Sequence, residues 1–153
     1  MKNQTGFTLV ELMVVIAIVG ILFVTAIPVY QTWQQRAYGQ EATLMAKQII
    51  DGQIMYYLDN DDFFPAVGDD FEIREDNPPA DQTQRLQDIE EHLKITIPVG
   101  HNLIYEFDNK GEIAGFMLTV RANFPLFKDG KNGLYSYVNP QGEITIFAVV
   151  IPM

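Results

Sequence analysis

From Leu12 to Gln35 the chain carries no charged residue, and this run decides most of what it can fold into. At 1.5 Å per residue the run makes a helix of roughly 36 Å, enough to cross a hydrocarbon core of about 30 Å. The remainder of the chain, from Arg36 onward, is an ordinary soluble mixture, long enough to bury a modest core. The expectation for 153 residues is therefore one extended apolar element joined to one globular unit. Glu11 stands at the mouth of the run. A carboxylate near the middle of a bilayer costs roughly 2.5–3.5 kcal/mol on an insertion scale, so Glu11 needs a partner or a place near the interface.

Charge narrows the function classes. The formal net charge is −10, and the acidic residues concentrate after residue 58 with no Lys/Arg cluster among them. Such a chain is poorly suited to electrostatic nucleic-acid binding. Lys2 is the only positive charge before the apolar run, which orients the N-terminus toward the cytoplasm and the bulk of the chain outward. There is no cysteine, so thiolate chemistry and Cys-ligated metals are excluded. A cleaved secretory signal fits badly: its apolar region spans about 7–15 residues before a small-x-small site, whereas this run is longer and no A-x-A comes after it.

The stretch Gly6-Phe7-Thr8-Leu9-Val10-Glu11, behind a six-residue leader containing Lys2, resembles the class III signal of type IV pilins and their relatives, the pseudopilins of type II secretion included. The specific match covers about the first 30 residues. The resemblance implies cleavage after Gly6 by a prepilin peptidase and N-methylation of Phe7. It also implies that Glu11 of one subunit meets the terminal amine of its neighbour and sets axial register. Pro28 falls where the family places its helix-bending proline, and Gly20 is a second weak point. Without a neighbour, Glu11 is a helix-end carboxylate that snorkels to water.

Tyr30 and Trp33 close the apolar run and suit a headgroup layer. The helix is expected to continue to about Leu58, with Tyr38, Met45, Ile49 and Tyr56 on one stripe packed against a sheet and Arg36, Gln40 and Lys47 facing away. The division is a leader at 1–6, an apolar helix at 7–35 and a head at 36–153. The head comprises an amphipathic helix at 36–58, a loop with a short helix at 59–94, and an antiparallel sheet at 95–153. Residues 59–79 read as loop, and 81–94 as a helix with Asp81 as N-cap and Leu86, Ile89 and Leu93 on one face. Alternation around Leu103–Phe107, in 113–122, in Leu134–Val138 and in Ile144–Val150 predicts about four strands in hairpins. The fold class is α+β, a long N-terminal helix on an antiparallel sheet, in the element order that the resemblance implies. The family frequently closes its C-terminal region with a disulfide; here the loop between Arg121 and Leu134 must be pinned otherwise.

Chemistry is sparse. Ser136 is the only serine, mid-strand between two tyrosines, and His92 and His101 are the only histidines, with no HExxH spacing. Asp59, Asp61 and Asp62, with Asp69, Asp70 and Glu72, offer oxygen ligands of the kind Ca²⁺ takes, but lack the glycine and terminal glutamate of an EF-hand loop. The preferred reading is a solvated acidic loop, no cofactor and no enzyme. The resemblance implies a structural subunit: a single-pass inner-membrane precursor with its head outside the cytoplasm, then a surface filament. Its partners would be copies of itself, the prepilin peptidase, and an assembly machinery with a separate ATPase. The alternatives are a pseudopilin of a type II secretion system and, in a different class, a membrane-anchored binding domain that never polymerises.

Overall fold

The first element, α1 (Leu9–Asn60), draws its N-terminal half from the uncharged run. The computed structural model describes residues 7–69, 71–74, 79–98, 102–111 and 114–151, so the leader lies outside the described residues. The chain divides into two compact units that meet between Gln34 and Gln35, and each is taken by itself. In the first, helix runs unbroken through both Gly20 and Pro28. Pro28 donates no backbone hydrogen bond, and two hydroxyls lie along this stretch: Thr25 Oγ1 donates to Leu22 O (3.0 Å) and Thr32 Oγ1 to Pro28 O (2.9 Å). The bend expected at these two residues does not interrupt the helix.

In the second unit α1 becomes amphipathic. Gly39, Ala42, Met45, Ala46, Ile49, Ile50, Gly52 and Gln53 are buried, while Arg36, Gln40 and Lys47 are exposed. Tyr38 and Tyr56 sit half-buried at the margins of that stripe. Small residues at 39, 42, 46 and 52 let the helix lie close to what it covers. A Cβ built on Gly39 would fall 2.5 Å from the Leu126 carbonyl oxygen, so only glycine allows that approach. The helix stops at Asp61, which adopts φ 57° and donates its N–H to Tyr57 O (2.8 Å), a left-handed C-terminal cap.

The sheet is an antiparallel meander in sequence order: β1 (Phe71–Ile73), β2 (Ile104–Asn109), β3 (Phe116–Arg121), β4 (Gly133–Val138) and β5 (Ile144–Val149). Among the described residues there are five strands rather than about four, because β1 arises inside the segment read as loop. Its Phe71 pairs with Phe107 and meets that ring edge-on at 5.3 Å, and Ile73 is buried. Three residues between Asp70 and Arg74 are too short to show a period of two. The inward face of β2–β4, with Tyr105, Phe107, Phe116, Leu118, Val120, Leu134 and Val138, shares one core with Met45, Ile49 and Ile50 of α1. Each such side chain contributes about 1.5–3 kcal/mol by leaving water. At the free edge, β5 leaves Ile144, Ile146 and Phe147 partly exposed.

Helix α2 (Pro79–Leu93) begins two residues earlier than expected, which places Asp81 within the first turn and not at the N-cap. Proline suits a first helical position, since its missing N–H would have no partner there, and a carboxylate in the first turn complements the helix dipole. Ile89 and Leu93 are buried and Leu86 is half-buried, as their spacing predicts.

Side-chain amides pin the loops. Gln53 of α1 accepts from Phe64 N (3.0 Å) and donates to Phe64 O (2.5 Å). Opposite it, Asn109 Nδ2 faces Asp62 Oδ1 (3.1 Å), Phe63 O (2.7 Å) and Pro65 O (2.8 Å), while its Oδ1 accepts from Gly111 N (2.9 Å). The cysteine-free loop after Arg121 is held by Asn132, which accepts from Ile151 N (2.7 Å) and donates to Ile151 O (3.0 Å) and Ala122 O (3.3 Å). Gln35 Nε2 also reaches Phe127 O (2.9 Å), and Tyr38 meets Phe124 edge-on at 5.2 Å.

The Tyr105 hydroxyl is buried without a hydrogen-bond partner. Burial, and then the nearby Glu41 charge, push it well above the usual phenol range. The unfolded chain releases this proton above about pH 10 while the folded chain retains it, so stability falls as pH rises past that value. Tyr105→Phe is expected to lose less stability than the parent between pH 10 and 11, by about 1 kcal/mol, in chemical denaturation of the full chain at both pH values.

Candidate functional site

The helix N-terminus is built by two side chains. Thr8 donates to Glu11 Oε2 twice, from its N–H at 2.8 Å and from its hydroxyl at 2.7 Å, and Glu11 N donates back to Thr8 Oγ1 at 3.3 Å. This is a capping box of the S/T-x-x-E type, which satisfies orphan amides in the first turn. The contribution of Thr8 was missed at the level of sequence, although its three-residue spacing from Glu11 is the signal that reveals such a box. Glu11 thus has a local partner in the single chain, and its carboxylate lies where the positive end of the helix dipole favours it. Phe7 is exposed; Gly6, the expected cleavage point, lies outside the described residues.

Beyond this cap the first unit offers apolar surface and little else. Its large hydrophobic side chains from Phe7 to Trp33 are exposed all round the helix, and α1 is long and apolar enough to cross a membrane. Surface of that kind is covered in the cell, by lipid or by other helices.

Residues 1–27 match the family model for the prokaryotic N-terminal methylation motif. The chain is 51% identical over 57 residues to the type IV major pilin protein PilE1 of Neisseria gonorrhoeae. Through this segment the chain is similar to type IV pilins. A fimbrial protein of Neisseria meningitidis serogroup B shows the same 51% over 57 residues, and one of Pseudomonas aeruginosa shows 61% over 36 residues. The matched segment is 37% of this chain and 34% of either neisserial pilin, and 24% and 23% for the Pseudomonas protein, so it spans about a third or less of the pilins it resembles. No solved structure matches the chain significantly. The methylation motif encloses Gly6, Phe7, Glu11 and Gly20, and ends one residue before Pro28.

In the head, the acidic candidates have local duties. Asp61 is the α1 cap, and Asp62 Oδ1 accepts from Phe63 N (2.8 Å) and from Asn109. Asp59 is exposed, Glu72 is paired with Arg121 (3.3 Å) and Arg74 (3.1 Å), and Asp70 lies outside the described residues. Among the described residues no group of three His, Asp or Glu side chains is placed to hold a metal. Ser136 is fully buried with no base against it. His92 is stacked on Phe64 at 4.7 Å, edge-on to Tyr56 at 5.9 Å, and its Nδ1 lies 2.7 Å from Asp88 O. His101 lies outside the described residues.

Proposed function

We propose that this chain is a structural subunit of a type IV pilin-like filament, without catalytic activity. The observation that carries the reading is the wholly exposed apolar helix that opens on Thr8 and Glu11 inside a methylation motif. The precursor sits in the inner membrane as a single-pass protein with its head outside the cytoplasm, as Lys2 favours. A prepilin peptidase cuts after Gly6 and methylates the new amine of Phe7. The same apolar surface then leaves lipid for the company of other copies, so nothing greasy is ever returned to water. Assembly machinery with its own ATPase supplies the work, and the product is an extracellular filament.

Glu11 changes partner along this route. In the precursor its carboxylate is held by Thr8. After cleavage a cation stands on Phe7, and in a filament the Glu11 of one copy pairs with the amine of the next, because an unpaired charge among packed apolar helices is costly. Gly20 and Pro28 are the places where the helix yields to extended chain on assembly.

The test is intact mass and N-terminal sequencing of protein from sheared surface filaments. An N-methylated Phe7 start in that fraction is the expected result. Intact Met1, found only in membranes, overturns the reading in favour of an anchored binding domain. A processed Phe7 confined to the cell envelope assigns the chain to a type II secretion pseudopilus.

A further inference from the structure

Nine Lys and Arg side chains lie among the described residues, and six are engaged. Arg74, Lys110, Arg121 and Lys131 pair with carboxylates, and Arg85 and Lys94 donate to backbone carbonyls. Arg36, Lys47 and Lys128 have no such partner. Two of these three, 92 positions apart in the chain, line the same cavity of about 250 Å³ between α1 and the loop after β3.

The cavity floor is apolar, from Gly39, Leu126 and Phe127, and its rim carries Arg36, Lys128 and Gln40. Two further lining groups are spoken for: Gln35 Nε2 donates to Phe127 O, and the Thr43 hydroxyl donates to Gly39 O (2.8 Å). The carboxylate next in sequence, Asp129, pairs with Lys131 rather than with Lys128. Lys131 lies 2.7 Å from it, and hydrogen bonding from that ammonium holds Asp129 below the usual carboxylate range. Two uncommitted cations and a primary amide around an apolar floor suit a compact anion with several oxygens and a greasy attachment.

Chain connectivity identifies where such an anion is met. Arg36 lies three residues after Trp33, the last aromatic of the apolar run, and three residues span at most about 11 Å. If residues 7–35 lie in the membrane, as the proposed function has it, the cavity is held at headgroup level whatever the attitude of the head. We infer that this cavity binds the phosphate of an anionic phospholipid in the outer leaflet. A head in a chain of net charge −10 is otherwise repelled by that surface, so this pair gives the precursor one attractive footing beside its own anchor.

The experiment uses the full chain in lipid nanodiscs of phosphatidylglycerol in phosphatidylcholine, with lipids that remain bound counted by native mass spectrometry. The parent chain is expected to retain phosphatidylglycerol, Arg36→Gln/Lys128→Gln to retain on the order of tenfold less, and Lys47→Gln to match the parent. These side chains are exposed, and near-ultraviolet circular dichroism verifies that the head stays folded. Equal retention by the double variant overturns the inference. So does displacement of the lipid by inorganic phosphate, which makes the free ion the ligand. Loss of self-association with lipid retention unchanged overturns it too, in favour of a second copy's carboxylates. A chain that fails to enter nanodiscs refutes the membrane reading; one that enters and retains no phosphatidylglycerol refutes only the lipid site.

Discussion

Glu11→Gln is expected to stop filament assembly while the helix, its membrane insertion and the head survive. Glutamine serves in a capping box as glutamate does, so the hydrogen bonds with Thr8 persist and only the charge is lost. In the proposed filament the terminal amine of a neighbour would then be left without its counter-charge. Removing one partner of a buried ion pair costs about 3–5 kcal/mol, or a factor on the order of 10²–10⁴ at every such contact. The measurement is the yield of protein in the sheared-filament fraction, with membrane-fraction abundance as control. Thr8→Val makes the converse change: it removes the cap at a cost of about 1 kcal/mol and keeps the charge, and it is expected to assemble. If Glu11→Gln assembles and Thr8→Val does not, Glu11 is a helix cap and its role in register is refuted.

Asn109→Ala is expected to be strongly destabilising, at about 3 kcal/mol and roughly 10 °C in melting temperature. One buried amide faces three acceptors in the loop after α1 and receives the Gly111 amide, so truncation orphans several backbone groups together. Chemical denaturation of the full chain in detergent checks the value. Glu106→Gln, at a half-exposed site on the same strand, is expected to change stability by less than about 1 kcal/mol although it weakens the pair with Arg121. Comparable losses for the two variants would mean that the loop is not held through Asn109.

The elements that sequence revealed are those where one periodicity runs uninterrupted. The Met45–Ile49 stripe, the inward Leu103, Tyr105 and Phe107, and the β3 and β4 alternation declare themselves because burial is one-sided and regular, whereas the uncharged run declares itself by composition alone. The failures share another cause. Asn109 lies in the turn-like Asp108-Asn109-Lys110-Gly111, yet it ends β2 facing inward, and Gln53, a polar residue that sequence analysis did not single out, is fully buried. For an amide, the decision between surface and core rests on whether distant backbone groups arrive to satisfy it, and no local pattern records that. Strand β1 is legible only through Phe107, its partner. The pairing of Arg36 with Lys128 around one cavity likewise depends on the path of the chain after β3. Glu11 declares itself as an anomaly, whereas its local partner does not, because a charge beside an apolar run points first to distant partners.

The closure at Asn132 has a consequence for how the head matures. Its side-chain amide meets Ile151 as a peptide group would, donating to the carbonyl and accepting from the N–H, and ties the end of the chain to the start of β4. A covalent staple at such a place waits for an oxidant and for reshuffling of wrong pairs, steps of seconds to hours. Hydrogen bonds wait for neither. This closure of the head therefore forms in anoxic or strongly reducing surroundings as readily as in air, and it re-forms after each local opening without help from an oxidoreductase.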